Sequence, residues 1–201
     1  MKVGIDINDV IRNYYNHTHS VLSDYFEKYP SEVHKKVLLK DVDDNYRFSK
    51  TFSFNDISEY NDLLYSELGF EISAKAPLVY NEVMTDLHKL YNKLVLKNHT
   101  VSIFTNEKEK AKSATYYFLG YNGCMVNNFK MVYDYSKIWS VYDIIVTANP
   151  YIIKKYNSKK KNKELFVIST PQNEGLNKGY RFETLAALLN LENNDNSRLL
   201  Y

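Results

Sequence analysis

Cysteine and long apolar runs are scarce in this sequence. Cys124 is the single cysteine among 201 residues, which excludes an internal disulfide bond and favours a reducing compartment. No stretch approaches the roughly 18 consecutive apolar residues that indicate a transmembrane helix. A strand-like segment directly follows Met1, where a signal peptide would place a basic and then an apolar region. We therefore expect neither a signal peptide nor a membrane anchor, and a cytoplasmic location, or a virion-associated one if the source is viral.

An excess of charge of either sign is also missing. The 26 Lys and Arg residues nearly balance the 24 Asp and Glu residues, which gives a net charge of +2. This charge argues neither for nor against a nucleic-acid partner. The basic run at 154–163 is more typical of a solvated helix end than of a phosphate-binding surface. We therefore expect no nucleic-acid partner.

Hydrophobic residues, in contrast, are abundant. They make up 44% of the chain, which is enough for a core. The length of 201 residues fits one domain, or one domain with a sizeable insertion. The 19 tyrosines, together with many Asn and Lys residues, are typical of AT-rich genomes, including those of many phages. Tyrosine is also enriched at protein interfaces, so a protein partner or a homo-oligomer is a second explanation for this composition.

Short β-branched runs end repeatedly in small polar residues. Three such runs, with the polar or small residues that follow them, are Val3–Ile5 with Asp6, Asn8 and Asp9, Val101–Phe104 with Thr105 and Asn106, and Ile144–Val146 with Thr147 and Ala148. Further strands are predicted at 127–133 and 165–169. Nearly continuous apolar runs are typical of buried parallel strands. Their carboxyl ends meet at one edge of the sheet, where reactive groups are found in open α/β sheets.

Helical periodicity fills the intervals between these strands. Apolar spacings of three and four predict helices at 10–29, 56–68, 78–97, 108–119, 150–156 and 181–191, and a turn of helix at 137–142. The alternation predicts an α/β fold with a doubly wound, Rossmann-like parallel sheet. We expect residues 1–10 and 75–191 to form the core. Residues 11–74 form a helical cap inserted after the first strand, with a short helix at 31–39 and irregular chain at 40–55, and 192–201 form a polar tail.

The end of the first strand has two interpretations. Asp6 lies where a functional carboxylate belongs in such a sheet. Alternatively, Asn8 or Asp9 merely caps a helix that begins near Val10. The stretch by itself favours neither interpretation.

Several short motifs, taken in order and spacing, resemble those of the haloacid dehalogenase (HAD) phosphatase superfamily, and most closely its 5′(3′)-deoxyribonucleotidase-like branch. The resemblance covers the chain up to about Leu191. The motifs are GIDINDV at 4–10, IFTN at 103–106, Lys137 ahead of Asp143, DIIVTANP at 143–150, TPQN at 170–173 and RFETL at 181–185.

The resemblance implies roles for individual residues. Asp6 takes the position of the nucleophile, which forms an aspartyl-phosphate. Thr105 and Asn106 take the positions that hydrogen-bond the phosphoryl oxygens. Lys137 takes the position of the lysine that neutralises charge on the nucleophile and the phosphate.

Two positions depart from the family pattern. Asn8 stands where the family has an aspartate that serves as general acid and base, and an amide cannot do so. Thr147 and Ala148 stand where the family has acidic residues that hold Mg²⁺, a cation usually bound through one or two carboxylates. A shifted Asp9, or Asp134, could supply a replacement carboxylate.

These departures lead us to expect a nucleotidase-derived protein that is catalytically degenerate, a pseudo-phosphatase that needs no cofactor. Its role would be binding or structural, within a phage assembly for example. An active Mg²⁺-dependent 5′(3′)-deoxyribonucleotidase-type phosphatase, with Asp6 as nucleophile and metal ligand, is the alternative. A module that senses a small phosphate or nucleotide without hydrolysing it is the third interpretation.

Overall fold

Six short strands form a single parallel sheet in the computed structural model, which describes residues 1–28, 48–52, 54, 56–160 and 162–190, with backbone alone at 49 and 50. The strands are β1 (Lys2–Asp6), β2 (Thr100–Thr105), β3 (Phe129–Met131), β4 (Ile144–Thr147), β5 (Glu164–Ile168) and β6 (Tyr180–Phe182). Their order in the sheet is β3-β2-β1-β4-β5-β6, and every neighbouring pair runs parallel.

The central position of β1 follows from its sequence. Val3 and Ile5 are fully buried on one face of the strand, and Gly4 between them lies against the ring of Tyr142 on the other face, as expected for a strand covered on both faces. The chain crosses from β1 to β2 on one side and later returns to β4 on the other. The order therefore reverses between β1 and β4, the place where open α/β sheets form their binding crevice. The predicted doubly wound α/β fold is confirmed.

Helices cover both faces of this sheet. The α-helices of the described residues are α1 (Tyr14–Lys28), α2 (Phe48–Thr51), α3 (Ile57–Asp62), α4 (Gly69–Ala74), α5 (Val83–Leu96), α6 (Lys112–Tyr121), α7 (Ile138–Val141), α8 (Pro150–Lys155) and α9 (Leu185–Leu189), and α5–α9 are those that cover the sheet. One apolar cluster joins the sheet to α5, α6 and α9, and a second joins it to α7 and α8. Among the described residues, no helix is long and apolar enough to cross a membrane.

Among the described residues, the members of a third apolar cluster all lie between 14 and 72. This cluster is rich in aromatic rings. For example, the ring of Phe26 stacks on the ring of Phe52, and their centroids are 5.5 Å apart. The helix predicted at 56–68 is interrupted here: α3 ends at Asp62, a π-helical turn covers Leu63–Glu67, and α4 follows. The predicted features at 31–39 and 192–201, and most of the region at 40–55, lie outside the described residues.

The helix predicted at 181–191 is partly wrong, because its first residues form the edge strand β6. Phe182 pairs with Ile168, and the Phe166 ring lies 5.3 Å from the Tyr180 ring between centroids. The helix α9 begins only after Thr184, whose Oγ1 accepts a hydrogen bond from the amide of Ala187 at 3.1 Å. Pairing with β5 thus outweighs the helical periodicity of this segment.

Candidate active site

The carboxyl group of Asp6 lies at the end of β1, completely shielded from solvent. Its Oδ2 accepts a hydrogen bond from the hydroxyl of Thr147 at 2.7 Å, and its Oδ1 lies 3.4 Å from the backbone nitrogen of Asn8. Burial is the main cause that raises the pKa of Asp6 to about 8, and the hydrogen bond from Thr147 only partly offsets it. Asp6 is therefore mostly protonated at neutral pH.

The hydroxyl of Thr147 is held in one orientation. Thr147 ends β4, and its Oγ1 accepts a hydrogen bond from the backbone N–H of Asn149 at 2.9 Å. Because this N–H supplies a proton to the oxygen, the hydroxyl's own proton is available to Asp6. The side chain of Asn149 in turn caps α8 by accepting from Tyr151 and Ile152. The turn after β4 thus directs a donor, and not a carboxylate, at Asp6.

The side chain of Asn8 belongs to a second buried network. Its Oδ1 accepts two hydrogen bonds from the guanidinium of Arg12, from Nε at 2.9 Å and from Nη2 at 2.7 Å. Its Nδ2 donates to Oγ1 of Thr105 at 3.4 Å. Every polar atom of the Asn8 side chain is therefore engaged, and the amide is fixed by Arg12.

The charge of Arg12 is balanced by Glu107, two residues beyond β2. Nη2 of Arg12 lies 2.6 Å from Oε1 of Glu107, and both side chains are almost fully buried. Glu107 also accepts hydrogen bonds of 2.6 Å from the hydroxyls of Ser73 and Thr115. A buried ion pair with this many hydrogen bonds meets the conditions under which such a pair is tolerated.

Asp9 occupies a left-handed turn, with a φ of 59°. Its Oδ1 accepts a hydrogen bond of 2.9 Å from the backbone N–H of Tyr15 in the first turn of α1. The helix α1 begins at Tyr14. The start near Val10 that was predicted from the sequence is wrong. The second interpretation is right in that the Asp9 side chain accepts an N–H of the first helical turn, and wrong about where that helix begins. Asp6 lies at the end of β1, as the first interpretation expects.

Asp9 also lines a cavity of about 270 Å³ beside the ends of β5 and β6. The cavity walls contain the carboxylates of Asp9 and Glu183. Among the described residues that line it, none is a lysine, arginine or histidine. The remaining polar lining residues carry hydroxyl or amide groups, namely Asn13, Tyr15, Asn16, Tyr80, Ser169, Thr170, Gln172 and Thr184.

The structure brings together some of the predicted site residues and not others. Asp6, Asn8, Thr105 and Thr147 meet within one buried cluster, joined by the contacts given above. Ala148 is buried directly after Thr147, and Asn106 is half-buried directly after Thr105. The charge of Arg12 favours the ionised form of Asp6, but more weakly than the hydrogen bond from Thr147 does.

Lys137 and Asp134 lie apart from this buried cluster. The side chain of Lys137 is 78% exposed, and its Nζ lies 3.5 Å from Oδ2 of Asp134, which is itself 51% exposed. Lys137 therefore neutralises a surface carboxylate in this structure. Asp134 holds the next turn by accepting a hydrogen bond from the backbone N–H of Ser136 at 2.9 Å.

Sequence reasoning missed Arg12 and Glu107. Glu107 directly follows the IFTN motif, and Arg12 lies four residues after Asn8, so both are close in sequence to predicted site residues. The available signal was a charged residue of opposite sign shortly after each of the first two predicted strands, Arg12 after the first and Glu107 after the second. Their pairing joins segments far apart in the chain, and the sequence pattern does not show it.

The residues around Asp6 do not fit a Mg²⁺ site. Mg²⁺ needs oxygen ligands whose lone pairs face the ion, whereas Oδ2 of Asp6 already receives the Thr147 hydroxyl proton. Thr147 and Ala148 bring no second carboxylate to this position. In the described ranges, no group of three or more His, Cys, Asp and Glu side chains could hold a metal ion.

Comparison with known proteins gives a match in structure only. No protein-family model and no curated protein matches the sequence. A HAD-like hydrolase from Streptococcus pneumoniae superposes with a TM-score of 0.62 at 10% identity, over 94% of this chain and 96% of that one. A phosphonoacetaldehyde hydrolase-like protein from Oleispira antarctica gives 0.61 at 10% identity, over 93% and 89%.

A third similar structure, with a TM-score of 0.56 at 12% identity, is a HAD hydrolase from Bacillus subtilis that was solved with bound magnesium. It matches over 93% of this chain and 96% of that one. The chain therefore has the fold of the HAD-like hydrolases over almost its whole length.

Proposed function

We propose that this chain is a HAD-fold protein that does not catalyse phosphoryl transfer and that acts by binding a protein partner or a second copy of itself. The observation that carries the proposal is the contact between Thr147 and Asp6. It puts a hydroxyl donor on the oxygen that a metal would need, next to a carboxyl group that is protonated at neutral pH.

Nucleophilic attack requires an ionised carboxylate. With a pKa of about 8, only about a tenth of Asp6 is ionised at pH 7. Asn8 cannot donate a proton to a leaving group, and Arg12 holds its amide oxygen with two hydrogen bonds. General acid–base assistance of about 10²–10⁴-fold is thus missing as well.

The cavity beside Asp9 is unsuited to a phosphate or a nucleotide. Phosphate sites in proteins are built from cations, helix N-termini or clusters of backbone N–H groups. The cavity beside Asp9 instead presents the carboxylates of Asp9 and Glu183. A phosphate dianion there would meet charges of its own sign.

The test measures release of inorganic phosphate from a generic aryl phosphate and from deoxynucleoside monophosphates, the substrates that the nucleotidase-like motifs suggest. The wild-type protein is assayed with Mg²⁺ beside Asp6→Asn and the surface control Lys89→Ala, whose side chain is exposed on α5. We expect all three to be equal to the buffer blank. Turnover that Asp6→Asn abolishes would establish the active phosphatase and reject our proposal.

Binding is measured separately. Light scattering over a range of protein concentrations reports self-association, and a monomer at every concentration would leave a protein partner as the remaining form of the proposal. Thermal stabilisation by deoxynucleoside monophosphates without metal would instead support the nucleotide sensor, which our proposal does not predict.

A further inference from the structure

Two chain passages connect the sheet to the segment that runs from the start of α1 to the end of α4. We call this segment the cap segment (described residues 14–74). The outgoing passage is 11–13 and the returning passage is 75–79. They run side by side as a short antiparallel pair: the N–H of Asn13 donates to Pro77 at 2.8 Å, and the N–H of Val79 donates to Ile11 at 3.0 Å. Arg12 and Leu78 form the bridge between them.

Three buried side chains tie these passages to the core. Nη1 of Arg12 donates to the carbonyl oxygen of Ser73 at 2.7 Å, and the hydroxyl of Ser73 donates to Oε1 of Glu107 at 2.6 Å. Nη2 of Arg12 lies 2.6 Å from the same Oε1. These contacts join three parts of the chain in a triangle: Arg12 in the outgoing passage, Ser73 in the last turn of the cap segment, and Glu107 in the loop after β2.

Aromatic rings enclose this triangle. The guanidinium carbon of Arg12 lies 5.2 Å from the ring centre of Tyr14, the first residue of α1, and 5.5 Å from that of Phe118 in α6. Arg12 and Ser73 are fully buried and Glu107 is 1% exposed. Water therefore does not screen the ion pair, and separating its members would leave two uncompensated charges.

From this geometry we propose that Arg12, Ser73 and Glu107 form a latch that keeps the cap segment closed on the sheet. A hinge needs a few connecting residues that are free to change φ and ψ. Here both connecting passages are hydrogen-bonded to each other, and the buried ion pair lies at their base. The cap segment opens only when the latch breaks. This inference holds whether or not the protein hydrolyses phosphate esters.

The chain offers a matched pair of variants for the test. The hydroxyls of Ser73 and Thr115 each donate to Glu107 at 2.6 Å, one to Oε1 and the other to Oε2. Both residues are fully buried, but Ser73 ends the cap segment, whereas Thr115 lies in α6 beside the sheet. Ser73→Ala removes a link between the cap segment and the sheet. Thr115→Val removes a link within the sheet part and a longer contact of 3.4 Å between Nη1 of Arg12 and Oγ1 of Thr115, but it leaves every contact of Ser73 in place.

Hydrogen–deuterium exchange of the full-length protein reads out opening of each part. In Ser73→Ala we expect the amides of α1 and α3 to exchange about tenfold faster, which corresponds to about 1.4 kcal/mol, while those of β1 and β4 stay within about twofold. Thr115→Val should leave the ratio of cap to sheet exchange at its wild-type value. Equal acceleration of both parts by Ser73→Ala, or selective acceleration of the cap segment by Thr115→Val, would overturn the latch.

A distance measurement checks the same inference independently. In a Cys124→Ala background, spin labels at Ser58→Cys in α3 and Glu174→Cys beyond β5 occupy exposed positions on the cap segment and on the sheet side. We expect one narrow distance distribution with the latch intact and a second, longer population in Ser73→Ala. Two populations with the latch intact, or one unchanged population in the variant, would contradict the proposal.

Discussion

Asp6 and Glu107 are two buried carboxyl groups at the same edge of the sheet, and the protein neutralises them in different ways. Asp6 follows β1, receives the hydroxyl of Thr147, and keeps its proton because burial raises its pKa to about 8. Glu107 follows β2 and meets the charge of Arg12 at 2.6 Å. Asp6, the position expected to carry the reactive carboxylate, is thus a neutral acid. The ion pair between Arg12 and Glu107 lies one strand away, after β2, and joins the cap segment to the sheet.

The difference shows two ways in which a buried carboxyl group is stabilised at this edge of the sheet. A buried carboxyl group is stable either as a hydrogen-bonded neutral acid or beside a cation. In both arrangements the oxygen lone pairs are engaged and are not available to a metal ion or to the phosphorus atom of a phosphate ester. Thr147 supplies the first arrangement and Arg12 the second.

The same chemical change at the two carboxyl groups should have unequal effects on stability. Glu107→Gln leaves the charge of Arg12 buried without its counter-ion and should lower the free energy of unfolding by about 3–5 kcal/mol. Asp6→Asn replaces an already neutral group and should not destabilise the protein at pH 7. Urea unfolding of both variants measures the difference, and equal losses would refute the contrast between a neutral acid and an ion pair.

The pH dependence should distinguish Asp6 directly. Its pKa is raised in the folded state from 3.8 to about 8, so the folded protein binds this proton more tightly than the unfolded chain. The resulting stabilisation is fully present below pH 3.8 and is lost as the pH rises towards 8. Relative to Asp6→Asn, wild-type stability should therefore fall by roughly 1.4 kcal/mol per pH unit between pH 5 and 7.

Urea unfolding of the two proteins from pH 5 to 9 measures this trend. The difference between them should level off above pH 8, where Asp6 is ionised in both the folded and unfolded states. A difference that is constant over the whole range would show that Asp6 has an ordinary pKa in the folded protein.

Removing the hydroxyl of Thr147 should have an intermediate effect. Thr147→Val leaves Asp6 and the N–H of Asn149 without this partner, at a cost of about 1–3 kcal/mol in the free energy of unfolding. Thr18→Val in α1 is the matched control, since Thr18 is equally buried and its hydroxyl has no hydrogen-bond partner in the described part of the chain. Chemical denaturation should show a loss for Thr147→Val alone, and similar values for the two variants would count against the Thr147 contact.

Lys137→Ala should have the smallest effect. Lys137 pairs with Asp134 at the surface, where solvent screens the interaction. We expect an unchanged urea midpoint and an unchanged phosphate-release assay. A marked loss of stability would show that Lys137 contributes more than its exposed position indicates.

The strands that build the site could be predicted because their residues leave little choice. The apolar runs that end at Asp6, Thr105 and Thr147 form β1, β2 and β4, since continuous burial on both faces requires such runs. The edge strand β6 was missed because three residues carry no periodicity that separates a strand from the start of a helix. Only the partner strand β5 makes Tyr180–Phe182 extended.

By itself, the sequence determined the parallel sheet, the place of Asp6 at its central strand, and the replacement of the expected acids by Asn8, Thr147 and Ala148. These properties follow from local composition and the order of the strands. The tertiary structure alone decided that Thr147 donates to Asp6 and that Arg12 pairs with Glu107. Hydrogen bonds and ion pairs depend on distances of about 3 Å between atoms, and only the packing of distant segments fixes such distances.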